Sequence, residues 1–299
     1  MNWKKLFCAI LLASSSPGAA ALDIFACEPE WAALAQELGG DQVDIFTATT
    51  ALQDPHRIEA RPSLIAKLRQ ADLLVCTGAD LEAGWLPMLL RKAGNARVHA
   101  GQPGHFLATD YVPLQDVPVR LDRAEGDVHP YGNPHIQTDP HNIARVASAL
   151  AQRLSALDAA HAAYYAERHA AFARNWNAAI ARWEQQAAPL RGMPVVVQHK
   201  NWTYLSAWLG LVEVVALEPK PGVPASGGYL AEVLATLRER PAKLVLRAAY
   251  QDTQASDWLH AQTNLPLVVL PSTVGGSEGA KDLYGLFDDT LTRLLQAAR

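Results

Sequence analysis

From Ala159 to Ala188 the chain runs for thirty residues without a glycine or a proline. Within this stretch Tyr165, Phe172, Trp176, Ile180 and Trp183 recur at spacings of seven, four, four and three, which is one face of an α-helix. Thirty helical residues reach about 45 Å at 1.5 Å each. Without glycine or proline there is no place for a kink, so the helix is expected to be a stiff spine running the height of a two-lobe protein. The aromatic stripe reads as its core face. His161 and His169, also on it, read as solvated or packed helix histidines.

On both sides of the spine short apolar runs alternate with helical ones. In front, residues 22–26, 43–47 and 73–76 read as strands, with 97–100 as a fourth. Residues 30–38, 63–70 and 81–92 read as helices; Gly39 and Gly40 end the first, and Pro62 suits the first turn of the second. Behind the spine, residues 195–198, 212–217, 244–247 and 267–270 read as strands, and 204–209, 229–238, 254–264 and 281–298 as helices. Alternation of this kind implies parallel sheets covered by helices, an α/β fold. The stretch from Gly101 to Asn133 is rich in Pro, Gly and Asp, has no period, and is expected to be a long loop or irregular crossing segment. The expected division is an export signal at 1–21, an N-terminal lobe at 22–158, a linking helix at 159–188 and a C-terminal lobe at 192–299.

The signal reading rests on order. Lys4 and Lys5 are followed by the apolar run Leu6 to Ala13, then by a break at Ser14 to Pro17 and the small residues Gly18 to Ala21. The run is shorter than the roughly 20 residues a membrane span needs, and Cys8 lacks the small residues a lipoprotein signal places before it. A soluble exported chain starting near Leu22 is expected. Its charge is mildly acidic: 26 Lys and Arg face 30 Asp and Glu, and without Lys4 and Lys5 the balance is −6. No basic stripe appears, so nucleic acid is not an expected partner. Cys27 and Cys76 each close an apolar strand-like run; a disulfide and two buried thiols both remain open.

Three histidines stand in stiff or strand-end settings: His56 in Asp54-Pro55-His56, His135 in Asn133-Pro134-His135, and His199 after Val195-Val196-Val197-Gln198. Imidazole is the commonest protein ligand for zinc and similar metals. Proline fixes its own φ and biases the residue before it towards extended backbone. A stiff loop loses less entropy when its side chain is fixed on an ion. His199 lies at the carboxyl end of a strand, and His56 in the loop after one, where open α/β sheets collect ligands. A metal held by all three would join the two halves of the molecule.

Residues 54–63, from Asp54-Pro55-His56 to Arg61-Pro62-Ser63, continue through Ala71-Asp72-Leu73-Leu74-Val75 to Gly78, Leu81-Glu82 and Trp85. This segment resembles the metal-binding lipoproteins and periplasmic proteins of zinc and manganese ABC importers. Residues 133–142, Asn133-Pro134-His135 to Pro140-His141-Asn142, resemble that family's second ligand motif, and Gln198-His199 with Tyr204 and Gly210-Leu211 its third. The match runs in order over almost the whole chain after the signal. The resemblance implies two Rossmann-like lobes joined by one long rigid helix, a metal site in the cleft between them, and His56, His135 and His199 as ligands. It implies Zn2+ in preference to Mn2+, because manganese-selective relatives tend to carry a carboxylate at the third position and imidazole suits zinc.

Two departures from the family pattern matter. Relatives often place an aspartate after the last strand of the back lobe, whereas here Val269-Leu270 runs into Pro271-Ser272-Thr273. The fourth position is left to water, Glu278 or Asp282, although Asp282 reads first as a cap of the last helix. The family's long His-rich loop is reduced to His129; with His141, this reads as an exposed loop histidine before a helper of the site. The resemblance implies a monomeric periplasmic receptor that hands its ion to an inner-membrane ABC permease, with a periplasmic metallochaperone as a further partner. A metallochaperone without a transporter is a rival. So is a zinc hydrolase using an open metal position, but no His-Glu-x-x-His run is present, and Glu59 is the only carboxylate near His56 towards the following helix.

Overall fold

The computed structural model describes residues 21–118 and 129–299. The expected export signal at 1–21 lies outside these residues apart from Ala21, as do Gly126, Asp127 and Val128. Two four-stranded sheets are built, all of whose pairings are parallel. The first has β1 (Leu22–Ala26), β2 (Val43–Thr47), β3 (Leu73–Cys76) and β4 (His105–Leu107) in the order β2-β1-β3-β4. The second repeats that order as β6-β5-β7-β8, with β5 (Pro194–Val197), β6 (Val212–Ala216), β7 (Leu244–Ala248) and β8 (Leu267–Leu270). Helices α1 (Pro29–Gly39), α2 (Pro62–Gln70) and α3 (Leu86–Ala93) belong to the first lobe. Helices α6 (Thr203–Leu209), α7 (Gly227–Glu239), α8 (Gln254–Thr263) and α9 (Leu283–Ala297) belong to the second. No helix among the described residues is long and apolar enough to cross a membrane.

Between the lobes stand α4 (Pro140–Leu157) and α5 (Ala162–Ala187). The 26 residues of α5 span about 39 Å, and 3-10 turns at Ala159–His161 and Ala188–Leu190 extend it at both ends. Tyr165, Phe172, Trp176, Ile180 and Trp183 are all buried, as their spacing requires. Trp176 donates its indole N–H to the Pro140 carbonyl at 2.8 Å, and Trp183 to Asp288 Oδ1 of α9 at 2.6 Å. One apolar core runs from Ile24 and Leu73 through Val146 and Trp176 to Val195 and Leu244. The two lobes therefore share a core through the spine. Separate small cores, around Trp85 and around Leu259, cover the outer faces of the sheets.

The spine is double, which the sequence reading did not anticipate. Helix α4 buries Ile143, Val146, Ala147, Leu150, Ala151 and Leu154 on one stripe. Pro140 sits in its first turn, and the Asp139 side chain accepts from the His141 amide. The fourth strand is also displaced. Residues around Arg97 form a 3-10 turn at Ala96–Val98, because Asn95 accepts from the Arg97 amide and donates to the Leu68 and Ala71 carbonyls. The strand lies inside the expected loop, at His105–Leu107, paired with β3. Gly104 leads into it where a Cβ would collide with the Asp72 and Arg97 carbonyl oxygens. Helix α3 starts at Leu86, not near Leu81, since the Glu82 carboxylate is used to accept from the Thr77 and Gly78 amides. Cys27 and Cys76 form a disulfide across β1 and β3, with their Cα atoms 4.8 Å apart.

Candidate metal centre

His56 lies in the loop between β2 and α2. Asp54 Oδ1 accepts from its backbone amide at 3.0 Å and pairs with ring Nδ1 at 2.7 Å. A carboxylate can only accept, so Nδ1 carries the proton and the Nε2 lone pair is presented to the cleft. Burial alone would raise the Asp54 carboxyl, but the bonds and charge of His56 outweigh it and hold Asp54 below its ordinary range. His199, two residues beyond β5, is set in the same way: Nδ1 pairs at 2.7 Å with Glu218 Oε2, which also accepts from the Gly222 amide at 2.8 Å.

His135 comes from the segment leading into α4. Asn133 Oδ1 accepts from its amide at 3.0 Å, while Asn133 Nδ2 donates to the Lys200 carbonyl at 2.7 Å and to Thr203 Oγ1 at 3.1 Å. The Tyr204 hydroxyl donates to the Asn133 carbonyl at 2.7 Å. The turn that carries His135 is thereby fixed to the turn that carries His199. His135 is buried and its Nε2 has no hydrogen-bond partner among the described residues. Burial, and then the neighbouring His56, His199 and His129, push its protonation well below the ordinary histidine range.

The three predicted histidines come together. One ring nitrogen from each lies within 4.8 Å of the other two. At Zn–N bonds of 2.0–2.1 Å a tetrahedral site separates its nitrogens by about 3.4 Å, so small side-chain rotations bring the trio onto one ion. The cavities beside the cluster measure about 160 Å³ and 200 Å³. Sites for drug-sized organic molecules run from about 300 Å³ upward, so the space suits an ion better than an organic substrate.

The other candidates separate. Asp282 caps α9, accepting from the Gly285 amide at 2.7 Å, and Glu278 is exposed on the preceding loop. Neither belongs to the donor group at the cleft. Glu59 is exposed. His141 pairs with Asp139 at 2.9 Å and stands 3.4 Å from Glu184 on the surface of the spine. His161 pairs with Asp158 at 2.7 Å. His129, read as an exposed loop residue, instead reaches the cluster: its Nε2 lies 3.2 Å from His56 Nε2. Burial, followed by His56 and His199, pushes its protonation down to about 3.

Behind His135 sits a group of buried acids that the sequence reading did not single out. Glu28, Glu30 and Glu82 are all buried, and burial raises the Glu30 and Glu82 carboxyls to about 7. Thr273 Oγ1, from the loop after β8, donates to Glu30, and Gln137 Nε2 donates to the Ser272 carbonyl at 3.2 Å. The place after the last strand thus holds an interlobe contact.

The model of the family described as "Zinc-uptake complex component A periplasmic" matches residues 24–297. The manganese ABC transporter substrate-binding lipoprotein PsaA of Streptococcus pneumoniae is 21% identical over 243 residues, 78% of this chain and 74% of that protein. The metal ABC transporter substrate-binding lipoprotein FimA of Streptococcus parasanguinis is 20% identical over 263 residues, 85% of this chain and 81% of that one. A crystal structure of ZnuA superposes with a TM-score of 0.76 at 22% identity, covering 93% of this chain and 100% of that one. A periplasmic metal binding protein from candidatus liberibacter asiaticus gives 0.74 at 17%, over 92% and 99%. At such identities the superpositions speak for the two-lobe fold.

Proposed function

This chain belongs to the family of periplasmic zinc-uptake component A proteins, and on that premise we propose that it captures Zn2+ in the interlobe cleft and delivers it to an ABC-type membrane permease. His56, His135 and His199 are the ligands of this reading. The observation that carries it is the arrangement of their nitrogens: Asp54 and Glu218 each accept from an Nδ1–H, and His135 presents a buried nitrogen with no partner among the described residues. A buried polar atom without a partner is costly, and a cation at this point would remove the cost.

Nitrogen donors favour zinc, whereas manganese favours oxygen-rich sites. A manganese receptor is the second reading, favoured by the name of the PsaA relative and opposed by a donor group at the cleft that, among the described residues, contains three imidazoles and no carboxylate. On this reading Lys4, Lys5 and the apolar run from Leu6 to Ala13 belong to an export signal, and the protein is a periplasmic monomer that meets the permease and, as a further partner, a metallochaperone. A hydrolytic role is disfavoured, because among the described residues the carboxylates against the rings, Asp54 and Glu218, accept from Nδ1–H groups and Glu59 is exposed.

Metal analysis after mild purification, with chelator competition on the protein and its His199→Ala variant, tests this. One zinc per chain is expected, with affinity in the variant falling beyond the roughly 10–100-fold that loss of a ligand-orienting group costs. Unchanged affinity in the variant, or manganese retained in place of zinc, would contradict the proposal.

A further inference from the structure

We infer that His129 is a fourth nitrogen ligand, so that the ion is enclosed by four imidazoles with no position left for water. The inference rests on the reading of the cleft as a zinc site and extends it. His129 Nε2 and His56 Nε2 are 3.2 Å apart. Two ligands on one tetrahedral zinc, each at 2.0–2.1 Å, stand about 3.4 Å apart, so this pair is already spaced as one edge of such a site. The His129 ring lies 5.2 Å from the His56 ring and 6.4 Å from that of His135 by centroids.

A hydrogen bond between the two rings would be the other account of that distance. Among the described residues His56 and His199 each have a carboxylate against Nδ1, Asp54 and Glu218, which leaves Nε2 as the nitrogen turned to the cleft. With His129 Nε2 facing His56 Nε2 at 3.2 Å, one cation shared by the two rings accounts for the approach, and the imidazole count below separates this from a hydrogen bond.

The backbone of Ala79, beside the His129 ring, lies in an unusual turn. Gly78, Ala79 and Asp80 follow one another at φ +88°, +48° and +65°. Alanine and aspartate seldom adopt this region, and such strain persists only where its surroundings enforce it. Here Glu82 holds the Thr77 and Gly78 amides from beneath. This turn, just before the stretch read as a helix from Leu81, lies beside His129. A shell of four imidazoles also bears on selectivity, since Mn2+ suits oxygen ligands and open coordination.

X-ray absorption of the zinc-loaded protein counts the imidazoles directly. Four are expected in the wild type, and three with one oxygen in His129→Ala and His129→Gln, together with a loss of zinc affinity of at least about tenfold. His141→Ala is the control and should match the wild type in both. Three imidazoles in the wild type, unchanged by either substitution at His129, would overturn the inference and leave the three-histidine site standing. Failure of the wild type to bind zinc, or indifference to His56→Ala, would overturn both.

Discussion

Glu218 offers a clean way to ask what the carboxylate behind a ligand contributes. Its Oε2 accepts from His199 Nδ1 at 2.7 Å and from the Gly222 amide at 2.8 Å. In Glu218→Gln the amide oxygen can occupy the same place and keep both bonds, so the geometry stays and the charge goes. Hydrogen bonds to charged groups contribute about 1.5–3 kcal/mol against about 1 for neutral ones. The difference, of order 1.4 kcal/mol, is tenfold in affinity. Glu218→Ala removes both bonds and leaves the Nδ1 proton unpaired, which should bring the loss to about 100-fold, or roughly 2.7 kcal/mol. Competition with a chromophoric chelator at fixed pH and ionic strength reads both, with the melting temperature of the zinc-free proteins as a check on folding. Glutamine as harmful as alanine would mean that charge is not the issue. Both variants within twofold of the wild type would refute the idea that Glu218 tunes His199 at all.

Two further outcomes concern stability. Burial raises the Glu30 carboxyl to about 7, so its contribution is fully present below the unfolded value near 4.5 and is lost as pH rises through 7. Glu30→Gln, which keeps an acceptor for Thr273, should therefore gain melting temperature relative to the wild type between pH 6 and 8 and show no gain at pH 4; equal profiles for the two proteins would count against the buried acid. Trp176 is fully buried and bonded to the Pro140 carbonyl. Trp176→Ala should cost about 3–5 kcal/mol, a large share of the roughly 5–15 kcal/mol of a folded domain; denaturant unfolding measures it, and a loss under 1 kcal/mol would deny the spine its place in the shared core.

Much of this was legible because burial leaves a strong trace in sequence. Strands such as Leu244–Ala248 are buried on both faces and read as unbroken apolar runs. Helices α6 and α8 stop at Gly210 and Asn264, both in the left-handed region. The three histidines that meet at the cleft stand out in sequence through their prolines and strand ends. What escaped depends on tertiary pairing. Helix α4 carries its period on alanines as much as on large residues, which blurs the contrast between faces. Strand β4 is three residues long and exists only by its register with β3. The disulfide depended on β1 and β3 being neighbours, which the order β2-β1-β3-β4 decides. His129 meets His56 across 73 positions, and Glu218 meets His199 across 19; no local pattern encodes either contact.

The ties around the cleft are unequal, and that bears on how an ion could enter and leave. His135 and His199 are locked to one another through Asn133 and Tyr204. Beneath them Glu30 meets Thr273 and Gln137 meets Ser272, both buried, and the core continues unbroken through Trp176. Swinging the lobes widely apart would strip partners from these buried polar groups, at about 1–3 kcal/mol each, and open apolar surface along the spine. At the rim the bond across the cleft from Arg57 to the Gly222 carbonyl is exposed and 3.4 Å long, and such contacts contribute little. A shift of only about 1 Å in the loop around Asp54-Pro55-His56 takes Nε2 beyond the 2.0–2.1 Å reach of a zinc bond. On the proposed reading of the site, the least costly way to free the ion is therefore movement of this loop against a fixed His135–His199 pair, with the helical spine left as it is.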